Sequence, residues 1–165
     1  MSSSDRRFVL GAFALLPLAA CGFTPAYAPG GPAEGLLGQI LVDAPEDKDS
    51  FDLVARLEER LGRSRSPAYR LSYRIETRTQ GQAIQPDNTI NRYQILGDVS
   101  FALHDAASDT VLTKGKVSSF TAYSAFGTAV ATAASEADAH ARLMTILADQ
   151  IVTQLVAGSA TWNGR

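Results

Sequence analysis

Between residues 69 and 104 this chain twice alternates apolar and polar side chains for long enough to leave little choice of fold. Tyr69, Leu71, Tyr73 and Ile75 alternate strictly with Arg70, Ser72, Arg74 and Glu76. Tyr93, Ile95, Gly97, Val99, Phe101 and Leu103 repeat the pattern with mostly polar residues between them. A strand turns successive side chains to opposite faces, so each run has one face made for a core and one made for water. Sheets of that kind are typically antiparallel and need cover on the apolar face only. Gly81 to Thr89, with Pro86-Asp87-Asn88, is a turn-rich loop, and the second strand is expected from about Ile90 to His104. Asp105 to Asp109 forms the next turn, and Thr110 to about Ala122 reads as the hairpin partner. Leu112 and Phe120 fall on the opposite parity from Val111 and Val117, which points to a bulge or twist near Gly115.

Two helices and a short strand are available to cover that apolar face. Gln39 to Asp43 fits a short buried strand. A helix is expected from Phe51 to about Arg63, capped by Asp49 or Ser50, with Phe51, Val54, Leu57 and Leu61 as its inward stripe. Pro67 ends anything helical before the first long strand. The last element, Ser135 to Val156, is read as a helix capped by Ser135, with Glu136 and Asp138 at its positive end and Leu143, Leu147, Ile151 and Leu155 in one stripe. The order is strand, helix, three strands, helix. It predicts an α+β fold with two helices packed on one face of a four-stranded sheet, mainly antiparallel or mixed.

Ahead of this domain stands the only cysteine, Cys21, closing the lipobox Leu18-Ala19-Ala20-Cys21. Arg6 and Arg7 form a positive n-region and Phe8 to Ala20 an apolar h-region, the order of an export signal. That run is shorter than the roughly 20 residues needed to span a bilayer. The arginine pair partly resembles a twin-arginine signal, though the spacing after it fits imperfectly. A competing cleavage site at Ala26-Tyr27-Ala28 would leave Pro29 first, which argues against it. Residues 1–20 are therefore expected to be a lipoprotein signal peptide and Cys21 the lipidated first residue of the mature chain. Two or more acyl chains anchor stably where one binds only reversibly. Gly22 follows, and the absence of Asp there removes the usual signal for retention in the inner membrane, so the expected address is the outer membrane, periplasmic side.

Residues 21–38, rich in proline and glycine, read as a flexible tether, 39–157 as a single domain, and 158–165 as a polar C-terminal tail. Losing the signal takes Lys+Arg from 15 to 13 and Asp+Glu from 17 to 16, so the formal charge moves from -2 to -3. Such a chain has no global basic field for nucleic acid. A single cysteine makes no disulfide within the chain. The catalytic inventory is poor: only His104 and His140 are available, and no Gly-x-Ser-x-Gly elbow, His-Glu-x-x-His helix, P-loop or dinucleotide fingerprint occurs. Glu136 and His140 stand at helix spacing, but two potential metal ligands without a third are more often a surface pair. The expectation is no enzyme, no metal and no cofactor beyond the covalent lipid on Cys21.

Four short stretches, taken in order, carry a resemblance. Cys21-Gly22-Phe23-Thr24-Pro25-Ala26-Tyr27, Asn91-Arg92-Tyr93 opening a long strand, Ser118-Ser119-Phe120-Thr121-Ala122-Tyr123-Ser124, and Ala148-Asp149-Gln150-Ile151 in the final helix resemble the LptE family, the lipopolysaccharide-assembly lipoproteins, in the shorter alphaproteobacterial form. The resemblance spans essentially the whole mature domain. It implies a protein that sits as a plug in the lumen of the outer-membrane β-barrel LptD, supports assembly of that barrel, and takes part in delivering lipopolysaccharide to the outer leaflet. An auxiliary lipoprotein of another envelope lipid-transport or secretion complex is the alternative.

A barrel lumen is polar, so a plug must present a polar, shape-matched surface. Arg70, Arg74 and Arg78 share one strand face, and Arg92, Lys114 and Lys116 lie on the strands expected beside it. These six are the candidate contacts to barrel or lipopolysaccharide, since arginine offers a forked, charge-assisted donor to phosphate. They also fit the solvated face of a one-sided sheet, with Glu76 and Asp98 neutralising part of the cluster. Phe120, Tyr123 and Phe126, interleaved with small residues, are candidate interface aromatics, or caps on the domain's own core. Better-characterised members of the family carry basic residues in the loop before the second long strand and just before the final helix. This chain has Pro86-Asp87-Asn88 and Ala131-Thr132-Ala133 there instead, which weakens the expectation of direct lipopolysaccharide contact.

Overall fold

A computed structural model of the chain describes residues 25–29, 31, 33–84 and 90–163. The expected signal segment and lipobox, with Cys21, and Pro86-Asp87-Asn88 lie outside the described residues. The element order is β1 (Ile40–Val42), α1 (Lys48–Leu61), β2 (Tyr69–Ile84), β3 (Ile90–Asp105), β4 (Val111–Ser124) and α2 (Ala129–Trp162). One four-stranded sheet runs β1-β2-β3-β4. β1 pairs parallel with the start of β2, and the β2-β3 and β3-β4 pairs are antiparallel. Both helices belong to one layer, and the predicted α+β arrangement is the observed one.

The two alternating runs do what their period dictates. Leu71, Ile95, Val99 and Leu103 are buried on the helix side, against Leu53, Leu57, Leu143, Leu147 and Ile151. Gly97 lets α2 come close: a Cβ there would meet Leu143 Cδ2 at 2.9 Å and Leu147 Cδ1 at 3.0 Å. α2 is long and apolar enough to cross a bilayer by length and composition, but its buried residues form a stripe from Ala139 to Trp162. It serves this domain as a core helix.

Several expectations shift in detail. α1 is capped by Asp47, which accepts the Ser50 N–H at 2.8 Å while Ser50 Oγ accepts the Asp47 N–H at 2.9 Å. Ser50 is thus the far half of a reciprocal cap and a buried residue, not the cap itself. The inward stripe becomes Ser50, Leu53, Val54, Leu57 and Leu61, and Phe51, one residue round the helix, stands exposed. The bulge lies at Leu112, not Gly115: Leu103 faces Thr113 while His104 faces Val111, which leaves Leu112 as the extra residue. Gly115 pairs with Phe101, and a Cβ there would meet the Phe101 ring at 2.6 Å.

α2 begins two turns earlier than expected, at a cap formed by Thr128. It also runs on through the expected tail to Trp162, which is buried and sits edge-on to Tyr69 at 5.5 Å. The stretch read as tether is packed as well. Ala33 and Leu36 are buried, Ala33 N–H bonds the Ala26 carbonyl at 2.9 Å, and Gly38 N–H bonds the Leu61 carbonyl at 2.7 Å. Packed structure therefore starts before Gln39.

Candidate partner-binding face

The helices leave the other face of the sheet bare, and the strand register sorts side chains onto it in rows. Ser72, Ala102 and Lys114 form one row, and Arg74, Ser100 and Lys116 the next. Glu76, Asp98 and Ser118 follow, then Arg78, Leu96 and Phe120. Arg92 pairs with Ser124 towards the far end, and Arg70 with His104 at the near end. All six basic residues singled out in the sequence thus share one face.

Their surroundings divide them. Arg70 donates to Asp43 at 3.0 Å and to Asp109 at 2.7 Å, and it holds the Asp109 carboxyl below the usual carboxylate range. Arg78 and Lys116 approach Asp98 at 3.5 and 3.2 Å. A hydrogen bond from the Ser118 hydroxyl, and after it Lys116, lower the Asp98 pKa. Arg74, Arg92 and Lys114 make no ion pair among the described residues. Arg74 and Lys114 line a shallow groove floored by Ser72, Ser100 and Ala102. Two cations without an ion pair among the described residues, over small polar side chains, can take an anionic group, and the forked guanidinium suits a phosphate or carboxylate.

The three aromatics do not act together. Phe120 lies on the bare face and is 62% exposed, next to Leu96 in its row. Tyr123 is on the opposite face, stacked on Tyr93 with centroids 5.3 Å apart, so it covers the domain's own core. Burial, then the nearby Glu136 carboxylate, push its hydroxyl pKa up. Phe126 is 64% exposed just before α2, and Val130 in the first turn of α2 is 80% exposed. Leu96 was passed over in the sequence, although its parity relative to Ile95 already assigned it outward.

The histidines have structural partners. His140 Nδ1 lies 3.0 Å from the Asp49 carboxylate and ties the start of α1 to α2. Glu136 instead neighbours Tyr123, so the pair read at helix spacing does not converge. His104 Nε2 is 3.0 Å from Ser72 Oγ, but Asp109 on its other side is committed to Arg70. Further along, Arg56 grips Asp149 through Nε and Nη2, both at 3.0 Å, and Arg60 adds a third contact at 3.0 Å. Asp149, one of the residues that carried the family resemblance, thus clamps the two helices together. No group of three or more metal-ligating side chains occurs among the described residues.

A family model described as "LptE: Lipopolysaccharide-assembly" matches residues 37–155. No curated protein matches the chain. Among solved structures, a presumed lipoprotein of Caulobacter crescentus CB15 superposes with a TM-score of 0.68 at 22% identity, covering 82% of this chain and 100% of that one. Rare lipoprotein B of Shewanella oneidensis gives 0.56 at 14% identity, covering 72% and 92%. A minor lipoprotein of Acinetobacter baumannii gives 0.55 at 16% identity, covering 74% and 94%. At these identities the structures speak for the fold, and the family match speaks for the lineage.

Proposed function

Because this chain belongs to the LptE family of lipopolysaccharide-assembly proteins, we propose that it is an outer-membrane lipoprotein, acylated on Cys21, that plugs the LptD β-barrel from the periplasmic side. In this role it supports assembly of the barrel and takes part in passing lipopolysaccharide to the outer leaflet, with no catalytic step and no cofactor beyond the lipid. The observation that carries this reading is the bare sheet face. β3, with 16 residues, is about 50 Å long at roughly 3.3 Å per residue. A barrel's apolar band is about 25 Å tall, so this face is long enough to line a lumen from one rim to the other. It is polar along its length, as a wet lumen requires, with Leu96 and Phe120 as an apolar spot and Arg74 and Lys114 as the cationic one.

The first test is affinity purification from membranes through a tag placed after Arg165. Recovery of a large outer-membrane barrel is expected. Recovery of an inner-membrane transporter instead would replace this reading with an auxiliary lipoprotein of another envelope complex. The face itself is tested by the double reversal Arg74→Glu and Arg92→Glu. Both residues are exposed and lack ion pairs among the described residues, so the fold should tolerate the change. Barrel copurification and lipopolysaccharide binding should both fall. If both persist at the level of the unsubstituted protein, the face is only a solvated one.

A further inference from the structure

Only Gly22, Phe23 and Thr24 separate Cys21 from Pro25, where the described chain begins. At no more than about 3.5 Å per residue, the path from Cys21 to Pro25 reaches about 14 Å. From there the chain is already tied down. Ala28 N–H bonds the Pro25 carbonyl at 3.1 Å, Ala26 lies against the core, and Ala33 and Leu36 are buried in it. These turns carry two large apolar side chains in solvent, Tyr27 at 44% and Leu37 at 53% exposure. Leu37 stands beside the end of α1, because the next residue, Gly38, bonds the Leu61 carbonyl. In the connection that follows α1, Arg65 is exposed and makes no ion pair among the described residues, while Arg63 is engaged by Glu58 at 2.7 Å.

We propose that this end of the domain seats directly on the phospholipid surface: Tyr27 and Leu37 enter the interfacial layer beside the acyl chains of Cys21, and Arg65 meets lipid phosphate. The inference rests on the acylation of Cys21 proposed above. A leash of about 14 Å keeps the turn that carries Tyr27 close to the headgroups, so even weak contacts at this end act at high effective concentration. A tyrosine ring favours headgroup depth, and a leucine gains by leaving water. The distal end, with the β2-β3 arm and the first turns of α2, then makes no lipid contact and is left free for the barrel lumen. The domain has a fixed polarity on the membrane in place of a free swing.

The test uses the purified acylated protein in vesicles of phosphatidylethanolamine and phosphatidylglycerol, some of them brominated near the headgroup. Tyr27→Trp, Leu37→Trp and Phe126→Trp are compared one at a time, with the emission of the native Trp162 subtracted. Each of the three sites is exposed, and the two proximal variants report independently. Loss of emission at positions 27 and 37 but not at 126 is the expected result. Equal loss at all three positions, or none at any, in protein whose intact mass confirms acylation, overturns the seating and leaves the lipoprotein reading standing. An unmodified Cys21 overturns both.

Discussion

At the end of the molecule where the described chain begins, Trp162 lies edge-on to Tyr69, whose hydroxyl donates to Asn163 at 3.0 Å, and Ala33 and Leu36 are buried in the same core. At the far end, Phe126 and Val130 stand in solvent, and β2 from Glu76 to Gln82 is exposed on both faces because neither helix reaches over it. The first end is a closed core made of distant parts of the chain. The second keeps its secondary structure without tertiary cover. A chain that extends strands and a helix beyond its own core leaves backbone and side chains for something else to cover, and a barrel lumen would do so. The difference assigns stability to one end and leaves the other without tertiary cover of its own.

The comparison breaks most visibly if the far end proves to matter for stability. Leu147→Ala, at the contact with Gly97, should cost about 3 kcal/mol, since it opens a cavity in a region that cannot collapse. Val130→Ala should stay within about 0.5 kcal/mol. Urea unfolding followed by circular dichroism measures both. A Val130→Ala loss comparable to that of Leu147→Ala would mean that the first turns of α2 are packed in the free protein.

A smaller effect separates the two helix starts. Asp47 caps a helix held down by Leu53 and Leu57, so Asp47→Ala should lower global stability by about 1 kcal/mol. Thr128 caps turns that touch little else, and their fraying is local. Thr128→Ala should therefore leave the unfolding midpoint nearly unchanged while raising amide exchange over residues 129–134. Equal shifts in midpoint would show that both helices begin inside the cooperative unit.

The same contrast explains what the sequence revealed. Element order and sheet face were legible because β2 and β3 hold one parity for long stretches, and only one placement of the helices covers their apolar side. The start of α2 was hidden because Ala129 to Ala134 bury no stripe, so no helical period marks them. Phe51 was misassigned because Ser50, held by Asp47, takes the inward position that a larger apolar residue would normally claim. The proline- and glycine-rich stretch before Gln39 concealed Ala33 and Leu36, two isolated residues that bury completely only because the ends of both helices meet there. Strand parity placed the six basic residues on one face with Asp98 among them, but the pairing of Arg70 depends on Asp43 and Asp109, which only the register and turns bring near.

The smallest expected effect is a pH dependence that the helix layer and the bare face share through different partners. Arg56, and after it Arg60, keep the Asp149 carboxyl below its usual range. Its unfolded value is about 3.9, so the clamp contributes fully above that pH and fades as pH falls through the lower folded value. The gap in urea midpoint between the native chain and Asp149→Asn should therefore be widest near neutrality and narrow in acid. Its size is modest, because the Asp149 side chain is 35% exposed and salt screens the pair. Asp98→Asn, on the bare face, follows the same sign, since its carboxyl is lowered first by the Ser118 hydroxyl and then by Lys116. A gap at Asp149 that stayed constant into acid would show that the clamp acts through shape alone, and that the charges joining α1 to α2 contribute nothing to holding the closed layer together.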